Sequence, residues 1–219
     1  MPLPPPFAHI QAVVFDFDGT LAHLTLDFNV LNAAVHDAVR GVFPAAPPFA
    51  PPALEWVALC AQSTGPRRPE LAALLRLRAE EALLAVEVAA ARQGALFPHT
   101  RELLLNLREN GLNAGVITRN CRPAVLEVFP DLEDYCPLLA REDVPETKPN
   151  PEHLLRMLDI LKTPPENALM VGDHPLDILT GKRAGTMTLG VTCGHASYEL
   201  LREAEPDLIL ENCGCLLRP

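Results

Sequence analysis

Ala12-Val13-Val14-Phe15-Asp16-Phe17-Asp18-Gly19-Thr20-Leu21 sets the terms for the whole chain. An apolar, β-rich run stops abruptly at two carboxylates spaced two residues apart, followed by a glycine and a hydroxyl. A strand as apolar as Ala12 to Phe15 belongs in the interior of a sheet covered on both faces. Such a strand presents Asp16 and Asp18 at its carboxyl end, the edge where open α/β sheets bind ligands. Two carboxylates held there repel each other, so a bound cation, a shared proton or both must offset them.

Downstream, the pattern leaves strand periodicity. Asp27 is placed to cap a helix whose apolar face is Phe28, Leu31, Val35, Val39 and Val42, spaced three and four apart. The stretch Pro44 to Pro52 is too rich in proline for regular structure. A short helix over Ala53 to Ala61 and a long one over Pro69 to Gln93 complete an all-helical block with no convincing strand. From residue 95 the chain alternates. Helices are expected at Thr100 to Asn110 (capped by Thr100), Pro123 to Phe129, Pro151 to Leu161 and Leu176 to Ala184. Strands are expected at Ile10 to Phe17, Asn113 to Thr118, Cys136 to Ala140, Ala168 to Val171, Thr186 to Val191 and Asp207 to Leu210. Strands separated by helices of this length form βαβ units with right-handed crossovers. The expected fold is therefore α/β, a doubly wound, mostly parallel, Rossmann-like sheet of residues 1–22 and 95–219. A small helical domain, residues 23–94, is inserted after the first strand, where it would sit over the sheet's carboxyl end as a lid.

Composition narrows the function. The 219 residues carry a formal charge of −10, which argues against binding nucleic acid. Only three lysines occur, Lys148, Lys162 and Lys182, which draws notice to each. The first residues lack a basic n-region and no run is long and apolar enough to span a membrane, so a cytoplasmic protein without membrane partners is expected. The six cysteines include one CxC, Cys213-Gly214-Cys215, with no second pair at zinc spacing, and are expected as reduced thiols.

Three further strand ends carry polar residues of definite type. The second strand ends in Thr118-Arg119-Asn120. A loop beyond the third offers Lys148. The fourth ends in Gly172-Asp173, with Asp177 one helical turn later. A parallel sheet puts these ends on one edge, where they converge with Asp16 and Asp18. Carboxylates, a hydroxyl and a lysine together make a site for Mg²⁺ and a phosphate group. The hydroxyl, the lysine and loop N–H groups take the phosphate oxygens, which makes Gly19, Thr20, Thr118, Arg119, Asn120 and Lys148 the candidate substrate contacts.

In these motifs, over about residues 10 to 192, the chain resembles the haloacid dehalogenase (HAD) superfamily. It is most similar to the phosphatases of subfamily I, which carry a C1-type helical cap after the first motif. Asp16-Phe17-Asp18-Gly19-Thr20 matches motif one, Thr118 motif two, Lys148 motif three, and Gly172-Asp173 with Asp177 motif four. The resemblance implies a phosphoric monoester hydrolase. Asp16 would be the nucleophile that forms an aspartyl-phosphate, and Asp18 the acid and then the base. Asp16, Asp18 through its backbone carbonyl, and Asp173 would bind Mg²⁺, and Asp177 would be a further ligand or an orienting group. Thr118 and Lys148 would hold the transferring phosphoryl group.

The substrate implied is a small phosphorylated metabolite, with phosphoglycolate the nearest familiar example and sugar phosphates or nucleotides as alternatives. The oligomeric state expected is monomer or homodimer. A dehalogenase would need neither Asp18 nor a metal site, and a phosphonoacetaldehyde hydrolase would need a cap lysine that residues 23–94 lack. A β-phosphoglucomutase-type mutase shares the core motifs and stays open, as does a non-catalytic binding protein on the same fold. His174 and Asp143 read as loop residues beside the site. The arginines of the helical block, Arg40, Arg67, Arg68, Arg76, Arg78 and Arg92, read mostly as surface charges.

Overall fold

The structure is a computed structural model that describes Leu3 and residues 7–50, 52–65 and 68–217. The chain divides into two compact units, one of Met1–Leu24 with Gly94–Pro219 and one of Thr25–Gln93.

The first unit is built on a six-stranded sheet in the order β5-β4-β1-β6-β7-β8. Its strands are β1 (Ala12–Phe15), β4 (Asn113–Ile117), β5 (Leu138–Leu139), β6 (Ala168–Gly172), β7 (Met187–Val191) and β8 (Leu208–Leu210). Every pairing is parallel. The helices α4 (Thr100–Glu109), α5 (Arg122–Val128), α6 (Pro151–Leu161), α7 (Pro175–Ala184) and α8 (Tyr198–Glu203) alternate with the strands. All residues of β1 and β6 are buried, as central strands covered on both faces must be. One face of β1, β4 and β6 packs Ala12, Val14, Ile117, Ala168 and Met170 against Leu154, Met157 and Leu158 of α6. Phe15 lies opposite Val116 on one side and Val171 on the other, so the three central strands reach the carboxyl edge in step.

Local chemistry moves several boundaries. β1 is four residues long, because beyond it the chain folds into a tight turn. Within that turn the N–H groups of Thr20, Leu21 and Ala22 all point at the Phe17 carbonyl, and Gly19 N donates to Ala22 O at 2.7 Å. Ala22–His23 (β2) then pairs antiparallel with Ala95–Leu96 (β3). His23, grouped with the helical block on pattern alone, is thus a strand residue, and two-residue strands carry no readable periodicity. Thr100 does not cap α4. It is the first helical residue, His99 stands at the cap, and the Thr100 hydroxyl donates to Leu21 O at 2.5 Å. No helix among the described residues is long and apolar enough to cross a membrane.

The second unit holds three helices, α1 (Phe28–Val42), α2 (Ala53–Ser63) and α3 (Pro69–Ala91). Asp27 caps α1, its carboxylate accepting from Asn29 N and Val30 N. Leu31, Val35 and Val39 turn inward to meet Trp56, Val57 and Cys60 of α2 and Leu75, Ala79 and Leu83 of α3. Phe28, expected on that inner face, is exposed instead. Within the proline-rich stretch, Pro48 and Phe49 meet the buried Trp56, whose indole N–H donates to Pro48 O at 2.9 Å while Phe49 packs edge-on at 4.9 Å.

Candidate active site

Strand register assembles the site. One residue past Phe15, Asp16 leaves β1 with its N–H still bonded to Val171 O at 2.8 Å. One residue past β6 stands Asp173, and α7 carries Asp177 in its first turn. Carboxylate oxygens of Asp16, Asp173 and Asp177 all lie within 4.8 Å of one another, and all three residues are buried. From the loop before α6, Lys148 inserts its ammonium between two of them, 2.5 Å from Asp16 Oδ1 and 2.6 Å from Asp177 Oδ1.

Burial shapes the electrostatics. Desolvation pushes the Asp16 carboxyl well above its usual range; Lys148 opposes this, while Asp177, Asp173 and Asp18 add to it. Burial alone would pull Lys148 down, but the Asp16 and Asp177 carboxylates outweigh it and keep the ammonium charged. At Asp173, burial is outweighed by hydrogen bonds from His195, whose backbone N–H lies 2.6 Å and whose Nδ1 lies 3.1 Å from Oδ2, so its carboxyl sits low. Behind the lysine, His153 of α6 is fully buried, with Nε2 donating to Leu139 O at 3.1 Å. Its imidazole is held neutral, at about 4, by burial and then by Lys148.

Three glycines leave the space these acids fill. Gly19 sits at φ +80°, which favours glycine, and any Cβ there would strike the Asp173 carboxylate. A Cβ at Gly194 would strike the same carboxylate, and one at Gly172 would strike that of Asp177.

On the other flank, Asn120 Nδ2 donates to Asp18 Oδ2 at 3.2 Å, and Asn120 N donates to the buried Thr118 Oγ1 at 3.0 Å. The Asp18 side chain therefore faces the Thr118–Asn120 turn, outside the three-acid cluster. Thr20 is fully buried and its hydroxyl has no hydrogen-bond partner among the described residues. Arg119 is tied in by its carbonyl, which accepts from Arg141 Nη1 at 2.7 Å. Asp143 bonds Arg122 and the Ala140 N–H, and His174 caps α7 while its own N–H is bonded by Asp177. Both Asp177 oxygens are thus engaged, one by Lys148 and one by the His174 N–H. His195 was not singled out from sequence. Its signal is position, since Gly194-His195 follows the carboxyl end of β7, a fifth end on the same edge.

Three buried carboxylates with hard oxygens are a donor set that suits a divalent cation, whose charge would join that of Lys148 in offsetting the repulsion centred on Asp16.

The family model for haloacid dehalogenase-like hydrolases matches residues 10–185. The chain belongs to this family. Among curated members, the chain is 38% identical over 114 residues to pyrophosphatase PpaX of Anoxybacillus flavithermus, covering 51% of this chain and 53% of that one. It is 34% identical over 125 residues to phosphoglycolate phosphatase of Salmonella typhi, covering 56% of this chain and 50% of that one. The matches thus span about half the length of these curated relatives. A solved hydrolase from Pseudomonas syringae shares the HAD fold, with a TM-score of 0.66 at 21% identity over 94% of this chain and 96% of that one.

Proposed function

We propose that this HAD-family protein is a Mg²⁺-dependent phosphatase of a small phosphomonoester, working through an aspartyl-phosphate on Asp16. The observation that carries the reading is the buried meeting of Asp16, Asp173 and Asp177 around the Lys148 ammonium. Such a concentration of acids is costly in a fold with nothing to bind there.

Asp16 and Asp173 would hold the cation, together with the Asp18 carbonyl, and Asp177 would serve chiefly to aim Lys148. A bound Mg²⁺ would supply positive charge that screens the Asp16 carboxylate from the negative phosphate. The Asp16 carboxylate attacks phosphorus, the ester P–O bond breaks, and the leaving oxygen takes a proton from the Asp18 carboxyl. Asp18, now ionised, takes a proton from water, which attacks the acyl-phosphate. Inorganic phosphate leaves and the Asp16 carboxylate is restored. Lys148 neutralises charge developing on the phosphoryl oxygens, and the Thr118 hydroxyl and the N–H groups following Asp16 orient them. Asn120, bonded to Asp18, keeps the acid turned toward the leaving group.

Hydrolysis of p-nitrophenyl phosphate and of a panel of metabolite esters tests the reading, with Mg²⁺ and with excess EDTA. Phosphoglycolate heads the panel, and pyrophosphate, an anhydride rather than an ester, is run beside it, because relatives matched over half the chain are named a phosphoglycolate phosphatase and a pyrophosphatase. Turnover that depends on Mg²⁺ supports the proposal, and none on any ester refutes it.

A further inference from the structure

The function just proposed leaves the Cys213-Gly214-Cys215 tail and Cys193 without a role, yet both reach the turn that carries Asp18. Three consecutive carbonyls of that turn each accept a side-chain hydrogen bond from a distant part of the chain. Cys193 Sγ donates to Gly19 O at 3.2 Å, Cys213 Sγ to Thr20 O at 3.1 Å, and Thr100 Oγ1 to Leu21 O at 2.5 Å. A carbonyl oxygen can only accept, so the thiol hydrogens are committed to it. Cys213 is fully buried, and His99 Nε2 stands 3.3 Å from its sulfur, placed to donate an N–H to it and so fix the thiol's direction. Burial lowers His99, which keeps the ring neutral. Gly214 lets the tail backbone lie on that ring, since a Cβ there would come 2.7 Å from His99 Cγ. The glycine after Cys213 thus follows from the close approach.

We propose that Cys193 and Cys213 are positioning residues: they clamp the Gly19 and Thr20 peptides and so fix the reach of Asp16 and Asp18 toward the phosphate. The inference rests on the phosphatase reading for its kinetic consequence, but the clamp itself can be measured without turnover. An S–H donor is weak, so the effect comes through geometry, where small displacements of reacting groups cost rate steeply.

The test uses the full chain with Cys193→Ala, Cys213→Ala, the double alanine variant and Cys213→Ser, which keeps a donor. In the double variant kcat is expected to fall about 10-fold at a temperature well below its melting transition, with KM within about threefold, and Cys213→Ser to recover most of the single-variant loss. Amide exchange at residues 19–22 is expected to speed up in the alanine variants and to slow again with serine. A kcat within twofold of the parent in the double variant overturns the proposal, as does an equal loss in serine and alanine. Should Cys213→Ala not fold, the half-buried Cys193→Ala carries the same comparison at Gly19. Should the parent hydrolyse no ester, the functional reading fails. The exchange rates then still decide the clamp, which unchanged protection at residues 19–22 would overturn.

Discussion

The two units, each with an apolar core, differ in what else they bury. The helical unit packs Leu31, Val35, Val39, Trp56, Leu75 and Leu83 into an apolar core, and an ion pair there, Arg78 with Glu81, is half-exposed on the surface. The α/β unit gathers four carboxylates, Asp16, Asp18, Asp173 and Asp177, at one sheet edge and sets a single lysine among them. The apolar core gains from every group it buries. The acidic edge strains against its own charge and persists because β1, β6 and α7 hold it there. Where a fold keeps an arrangement that folding alone would disfavour, chemistry is the physical reason to look for.

The contrast can be broken most sharply at Asp16. Asp16→Asn removes one charge and keeps the shape, so turnover should drop by about 10⁴-fold or more while the melting temperature does not fall. Substantial residual turnover would contradict a covalent aspartyl-phosphate.

His153 offers the next largest effect. Its folded-state value of about 4 lies below the unfolded value near 6.5, so the unfolded chain takes up a proton first as pH falls. Stability is therefore full above pH ~6.5 and declines by roughly 3 kcal/mol between there and pH ~4. His153→Gln keeps an N–H for Leu139 O but cannot titrate. Urea melts at pH 7.5, 6 and 4.5 should show a shallower decline in the variant, and equal slopes would remove His153 as the cause.

Gly172→Ala places a methyl group on the Asp177 carboxylate and should cost about 1–3 kcal/mol, with a rate loss of about 10-fold as Lys148 loses its second partner's position. Trp56→Phe loses the bond to Pro48 O and some volume, about 1–2 kcal/mol, and should leave kcat on p-nitrophenyl phosphate within about threefold. A stability loss without a rate loss there, set against the two together at Gly172, would sharpen the contrast. A larger rate loss at Trp56 would dissolve it.

What could be read from sequence follows from how each feature is encoded. The parallel sheet and its helices were legible, because β1 and β6 are continuous apolar runs and proline and glycine mark the helix ends. The meeting of Asp16, Lys148, Asp173 and Asp177 was legible for the same reason, since parallel strands deliver their ends to one edge. The β2–β3 pair was not, being two residues on each strand. Thr100 looked like a cap because threonine before a helical run usually is one, but a carbonyl 79 residues upstream takes its hydroxyl. His195 escaped notice, and Cys193 and Cys213 read only as reduced thiols, because a lone histidine or thiol has no periodicity and their partners lie far off in sequence. Phe28 had the right spacing for the core and still faces out, since it opens its helix.

The hydrogen bonds on the Gly19–Leu21 turn also impose an order in time. Their sequence separations are 79 for Thr100, 174 for Cys193 and 193 for Cys213. A ribosome adding roughly 5–20 residues per second needs roughly 10–40 s to travel from Thr20 to Cys213. The turn beside the two aspartates thus waits for segments made up to 193 residues later, and a nascent chain holds that loop unfastened until they have left the tunnel.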